Sequence, residues 1–296
     1  MKKWLAAFRL RTLPLAASSV IAGSAMAWHD QPFHWSIFVL ALITTFFLQI
    51  LSNLANDYGD FSHGVDNDKR VGPQRAMQSG AITKSQMKRA LVLTTILSLV
   101  SGIALLWFSL GERGLFMQAL LMLSIGILAI VAAFKYTVGK NPYGYLGLGD
   151  LSVFLFFGIT GVMGTYYLHT GVLSDHVLLP AVAVGLFSAA VLNLNNLRDH
   201  ENDRASGKIT LVVRMGFYNG KIYQLMLIGG ASCCAIALCI LTGDNFYKWF
   251  TLIIPALQLL LVRKVFRTHV PAMLDSELKK VALSTFVYSV LLWMLF

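Results

Sequence analysis

Nine apolar stretches punctuate this chain, and nearly all of its cations fall in every second gap between them. A helix that crosses a bilayer needs about 20 mostly apolar residues. The stretches run over 13–28, 35–56, 89–110, 115–134, 146–168, 176–197, 221–242, 247–266 and 280–296. Of the 24 Lys and Arg, only Arg113 and Lys248 lie outside the N-terminal segment and the loops after the second, fourth, sixth and eighth stretches. Cationic loops stay cytoplasmic. The N-terminus is therefore expected in the cytoplasm and the C-terminus, nine crossings later, on the opposite side. One missed crossing would scramble the alternation. Only 13% of residues are charged, against about 25% in soluble proteins. The expected fold class is thus all-α: a polytopic protein of the cytoplasmic (inner) membrane whose first partner is the lipid bilayer. The net charge of +10 is mostly an orientation signal, available to anionic headgroups or an anionic substrate, and no nucleic acid is expected. The first stretch carries no cleavage signature of a secretory leader. Cys233, Cys234 and Cys239 share one apolar stretch without CxxC spacing, which reads as packing rather than redox or metal chemistry.

Two polar clusters interrupt this apolar background. One is Asn53, Asn56, Asp57 and Asp60 at the end of the second stretch; the other is Asn193, Asn195, Asn196, Asp199 and Asp203 at the end of the sixth. Acidic groups near a membrane are costly to desolvate and mark function by default. The first set is spaced i, i+3, i+4, i+7, and Asn196, Asp199 and Asp203 repeat the pattern, so each set lines one helix face. Oxygen-only donors suit Mg²⁺ or Ca²⁺; no His or Cys spacing suggests zinc. The Asn-Leu-x-Asn echo at Asn53 and Asn193 suggests two similar halves, roughly 1–140 and 141–270, followed by a final helix over 280–296.

Basic residues trail each cluster: Lys69, Arg70 and Arg75 after the first, Arg198, Arg204 and Lys208 in and after the second. Carboxylates that hold Mg²⁺ beside Arg and Lys are what a diphosphate needs, because Mg²⁺ combines a few carboxylates with phosphate oxygens and Arg offers paired donors. With lipid all around, a diphosphate on a lipid tail meets these constraints.

Read together, Asn56-Asp57-Tyr58-Gly59-Asp60 and Asp199-His200-Glu201-Asn202-Asp203 resemble the two motifs of the UbiA superfamily of membrane prenyltransferases. Further stretches resemble its branch that prenylates 1,4-dihydroxy-2-naphthoate in menaquinone synthesis: Arg11-Thr-Leu-Pro14, Gly72-Pro-x-Arg75, Lys135-Tyr136-Thr137, Tyr143-Gly-Tyr-Leu-Gly-Leu-Gly-Asp150, and Asn195-Asn-Leu-Arg198 with Gly207-Lys208-x-Thr210. The resemblance implies a nine-helix bundle with a central cavity open to the cytoplasmic side and the membrane. It also implies Mg²⁺-dependent transfer from a polyprenyl diphosphate to an aromatic acid, with loss of CO₂. Asp60, Asp199 and Asp203 would be catalytic. Asn56, Asp57, Asp60, Asp66, Asn196, Asp199 and Asp203 would hold metal, with Asp66 or Asp68 completing the first site. Lys69, Arg70, Arg75, Arg198 and Lys208 would bind diphosphate, and Lys135, Tyr136 and Asp150 the acceptor. Phe154, Phe156, Phe157, Tyr166 and Tyr167 could shield an allylic cation, although packing is the simpler role for most of them. His63 and His200 read as solvated loop residues. Isoprenoid length is not encoded in any of these motifs.

Two other readings compete. A sibling enzyme acting on 4-hydroxybenzoate would share the ionisation step without losing CO₂. A transporter would need polar residues at both membrane faces, and the far side offers little beyond His29, Asp30, Glu112, Asp175 and Asp244.

Overall fold

The computed structural model describes residues 2–67, 71–242 and 245–296. Among these, nine helices are long and apolar enough to cross a membrane: α1 (Lys3–Asp30), α2 (Trp35–Ser62), α3 (Lys84–Gly111), α4 (Phe116–Lys135), α5 (Gly149–Thr170), α6 (Asp175–Ala205), α7 (Phe217–Leu241), α8 (Phe246–Arg267) and α9 (Pro271–Leu295). No strand occurs among the described residues.

The apolar stretches locate every crossing; some stop short of the helix ends, and others, such as 146–168 against Gly149–Thr170, begin or end outside them. Hydropathy ends where polar residues begin; the helix continues because its backbone bonds do not depend on side-chain polarity. α2 therefore runs on to Ser62 and α6 to Ala205, so both polar clusters sit on unbroken helix. α9 likewise starts at Pro271 rather than near residue 280. At the N-terminus the helix breaks at Arg9, the one described non-glycine residue with positive φ (49°), before α-helix resumes at Leu13. α3 opens on a capping box, with Thr83 accepting from the Gln86 amide and the Gln86 side chain accepting from the Thr83 amide. Within α5, Phe154–Met163 widens into a π-helix, a form often found beside functional sites.

α6 is the central helix, with 72% of its apolar window buried; α4 is the outermost, with 6%. The main core joins α6 to α1, α5, α7, α8 and α9 through side chains such as Met26, Phe187, Leu194, Ile228 and Tyr288. Gly158 makes the α5–α6 approach possible: a Cβ there would lie 2.6 Å from the Ala181 carbonyl oxygen. α4 packs on α2 and α3 but touches α5 at most marginally. Between these walls lies a cavity of about 390 Å³ that contacts all of α1 to α5.

Candidate active site

The cluster-bearing ends of α2 and α6 converge. Asp57 and Asp60 on α2 and Asn196, Asp199 and Asp203 on α6 are all buried, as is Asp66 just beyond α2. Burying so many carboxylates requires compensating partners, and these come from four other segments.

Arg9, turned by its left-handed backbone, donates to Asp57 Oδ1. Arg75 Nε approaches the same oxygen at 3.5 Å. Asp57 Oδ2 is buried without a hydrogen-bond partner. Thr137 donates to the Ala55 carbonyl (3.1 Å) and to Asn56 Oδ1 (3.3 Å), which threads the α4–α5 loop across α2. Only glycine fits at position 59 beneath it, since a Cβ would sit 2.4 Å from Thr137 Oγ1.

Tyr145 and Lys208 join the two clusters. The Tyr145 hydroxyl donates to Asp60 Oδ1 at 2.7 Å. Lys208 Nζ lies 3.5 Å from the same oxygen and 5.3 Å from the centre of the Tyr145 ring. Lys208 itself follows α6, its amide donating to the Asp203 carbonyl at 2.8 Å. Two more bonds tie the loop after α2 to α6: Asn202 Nδ2 to the Val65 carbonyl (3.0 Å) and Asn67 Nδ2 to Ser206 Oγ (3.4 Å). Burial pushes the Tyr145 phenol above its ordinary range, and the charges of Asp60, Asp66 and Asp203 push it further. Tyr136 is raised in the same way, by burial first and then by Asp150, Asp60, Tyr143 and Asp203. Through Tyr145 and Lys208, the Asp60 end of α2 and the Asp203 end of α6 thus meet around one hollow.

Arg198, 2% exposed, donates to both oxygens of Asp199 (2.8 and 2.7 Å), to Asn195 Oδ1 (2.7 Å) and to Asp275 Oδ1 on α9 (2.7 Å). Asp150 is buried at the start of α5 with Oδ1 unpartnered, and Tyr136 packs against its neighbour Gly149. Lys135 is exposed. Lys69, Arg70 and Asp68 lie outside the described residues. His63 is exposed, its ring against the Gly59 and Gly139 carbonyls and Tyr145, whereas His200 lies on α6, against the Leu197 carbonyl and stacked on Phe217. The three cysteines are free.

The cavity begins at this hollow, lined there by Gln49, Asn53, Asn56 and Tyr136, and reaches Leu105, Met122 and Leu168 near the far side. Phe156 and Phe157 line it. Phe154 instead packs against Gly185, and Tyr166 donates to Asp30 at the far end (2.6 Å).

Sequence reasoning missed Arg9, Tyr145, Thr137 and Asn202. Arg9 is one of several N-terminal cations, and only its backbone twist distinguishes it. Tyr145 stood inside a quoted motif without a role. Thr137 and Asn202 act through contacts to residues more than 80 positions away in sequence, which no spacing rule reveals.

Three kinds of similarity bear on this arrangement. Residues 16–290 match the model of the UbiA prenyltransferase family. The chain is 46% identical over 261 residues to a 1,4-dihydroxy-2-naphthoate octaprenyltransferase of Haemophilus influenzae, covering 87% of this chain and 83% of that protein. It is 44% identical over 277 residues to the Escherichia coli protein of the same name, covering 94% and 89%. Among solved structures, a UbiA homolog from Aeropyrum pernix superposes with a TM-score of 0.71 at 16% identity, covering 95% of this chain and 96% of that one. One from Archaeoglobus fulgidus bound to GPP and Mg²⁺ superposes at 0.67 and 14%, covering 99% of each. At those identities the structures establish the fold, and the sequence matches establish the family. The chain belongs to the UbiA prenyltransferase family.

Proposed function

We propose that this prenyltransferase moves a polyprenyl group from polyprenyl diphosphate to 1,4-dihydroxy-2-naphthoate with loss of CO₂, giving demethylmenaquinone. The observation that carries the proposal is the pair of acidic clusters sharing one hollow at the mouth of an apolar cavity. The names of the two bacterial relatives support the naphthoate as acceptor. The cations of alternate loops support a cytoplasmic site, with the C-terminus on the opposite side. Two halves, 1–140 and 141–270, would each contribute one cluster.

The residues fit a Mg²⁺-diphosphate. Every candidate donor is an oxygen, and buried Asp57 Oδ2 has no hydrogen-bond partner. Mg²⁺ combines a few carboxylates with phosphate oxygens and water. Asp57, Asp60 and Asp66 would serve one side; Asp199 and Asp203 the other; Asn56 and Asn196 would add neutral oxygen. When bound, Mg²⁺ would supply Lewis-acid stabilisation of the departing diphosphate.

The chain does the rest. Lys208 and Arg75, already at the acidic hollow, would neutralise the diphosphate as the allylic C–O bond breaks and its electron pair leaves with oxygen. The cavity would hold the tail and keep water from the allylic cation, with Phe156 and Phe157 facing it. Tyr136 and Asp150, beside the hollow, with Lys135 at its rim, would orient the aromatic acid. The ring carbon that forms the new bond carries the carboxylate, which departs as CO₂. The test is to incubate membranes containing the protein with a polyprenyl diphosphate and carboxyl-labelled 1,4-dihydroxy-2-naphthoate. Labelled CO₂ with a lipid-soluble product is expected. A product that retains the label, or turnover of 4-hydroxybenzoate alone, would overturn the acceptor.

A further inference from the structure

We propose that Asp275, at the start of α9, is a positioning residue for the α6 cluster and acts on Asp199 through Arg198. The inference rests on the metal reading above. Arg198 uses four of its five N–H donors on Asp199, Asn195 and Asp275. Buried in this way, it is a structural cation between two carboxylates rather than a free hand for phosphate. Asp275 also pairs with Lys279 (2.6 Å) and lies in the field of Arg11.

Two cations, Arg198 from α6 and Lys279 from α9, therefore pair with Asp275. Its carboxylate offsets them. Without it, Arg198 would turn more of its charge on Asp199, and Lys279 would lose its carboxylate partner. A cation bound at Asp199 would then meet stronger repulsion. Asp275 touches no substrate on this account; it offsets positive charge beside Asp199, and it couples the ninth helix to the metal site. Glu277, two residues on, provides a control: it is acidic and buried, but it pairs with Lys280 and Ser276 and not with Arg198.

The test measures binding of Mn²⁺ alone, as a Mg²⁺ probe, to the full-length purified protein by electron paramagnetic resonance, with Mg²⁺-dependent turnover in parallel. Asp275→Asn is expected to raise the Mn²⁺ dissociation constant about fivefold, the scale of one partly exposed charge pair. The Mg²⁺ concentration for half-maximal activity should rise by the same factor, with kcat at saturating Mg²⁺ changing less. Asp275→Glu should rescue, and Glu277→Gln should bind as wild type does. Asp275→Ser, which suits a helix N-terminus, is the second variant should Asp275→Asn insert poorly. A folded Asp275→Asn or Asp275→Ser that binds Mn²⁺ as tightly as wild type, or more tightly, would overturn the inference alone. Wild-type protein that binds no Mn²⁺ would overturn the metal reading beneath it.

Discussion

Replacing Tyr145 with phenylalanine removes one oxygen atom and leaves the ring under Lys208. That oxygen donates to Asp60 at 2.7 Å in a buried setting. A hydrogen bond to a charged group is worth about 1.5–3 kcal/mol, and each 1.36 kcal/mol is tenfold in rate. Should the bond hold Asp60 in its working position, Tyr145→Phe lowers kcat/KM for the prenyl diphosphate about ten- to hundredfold. The effect should be the same at pH 7 and pH 9, because burial and three carboxylates keep the phenol protonated well above its ordinary range. The folded pKa is raised, so the hydroxyl donor is intact through the ordinary tyrosine range and is lost only as pH rises through the higher folded value. Initial rates in detergent at saturating acceptor, with thermal melting recorded alongside, make the assay. A variant that melts like wild type and turns over within twofold of it would refute the reasoning. So would a defect that appears only at high pH.

The remaining expectations concern the same site. Asp60→Ala and Asp199→Ala should each abolish transfer while leaving insertion and melting close to wild type; normal turnover in either would remove that carboxylate from the mechanism. EDTA should stop the reaction and Mg²⁺ restore it, with full activity in metal-free enzyme as the contrary result. Gly126 lines the cavity in the middle of α4, and a Cβ there would meet nothing within 4 Å. Gly126→Leu should therefore project into the cavity without clashing, about 14 Å from the α4 end at Lys135 by helical rise. Long donors should lose kcat/KM while geranyl diphosphate is used as before, and equal effects on all lengths would place the tail elsewhere.

Much of this molecule was legible because lipid leaves so few options. With no water to satisfy backbone groups, each long apolar stretch has to be a helix. The polar clusters were legible for the complementary reason: Asp57, Asp60, Asp199 and Asp203 are too costly near a membrane to be incidental. What was not legible is what holds them. Arg9 reaches Asp57 because of a single left-handed residue, a backbone choice that leaves no trace in composition. α5 widens over Phe154–Met163, where Phe156 and Phe157 line the cavity, yet its residues read as an ordinary apolar helix. The family resemblance implied a diphosphate role for Arg198; its partner Asp275 lies 77 positions away, beyond any local pattern.

The central claim is that the α2 and α6 carboxylates serve one ligand. A double-mutant cycle on Mg²⁺-dependent binding of inorganic pyrophosphate, using Asp60→Asn, Asp203→Asn and the pair, tests it most directly. Groups that share a ligand should couple by about 1 kcal/mol or more, so the double variant should lose much less than the sum of the single losses. Losses that simply add, to within about 0.5 kcal/mol, would mean that the two carboxylates act on separate ligands and would contradict the account.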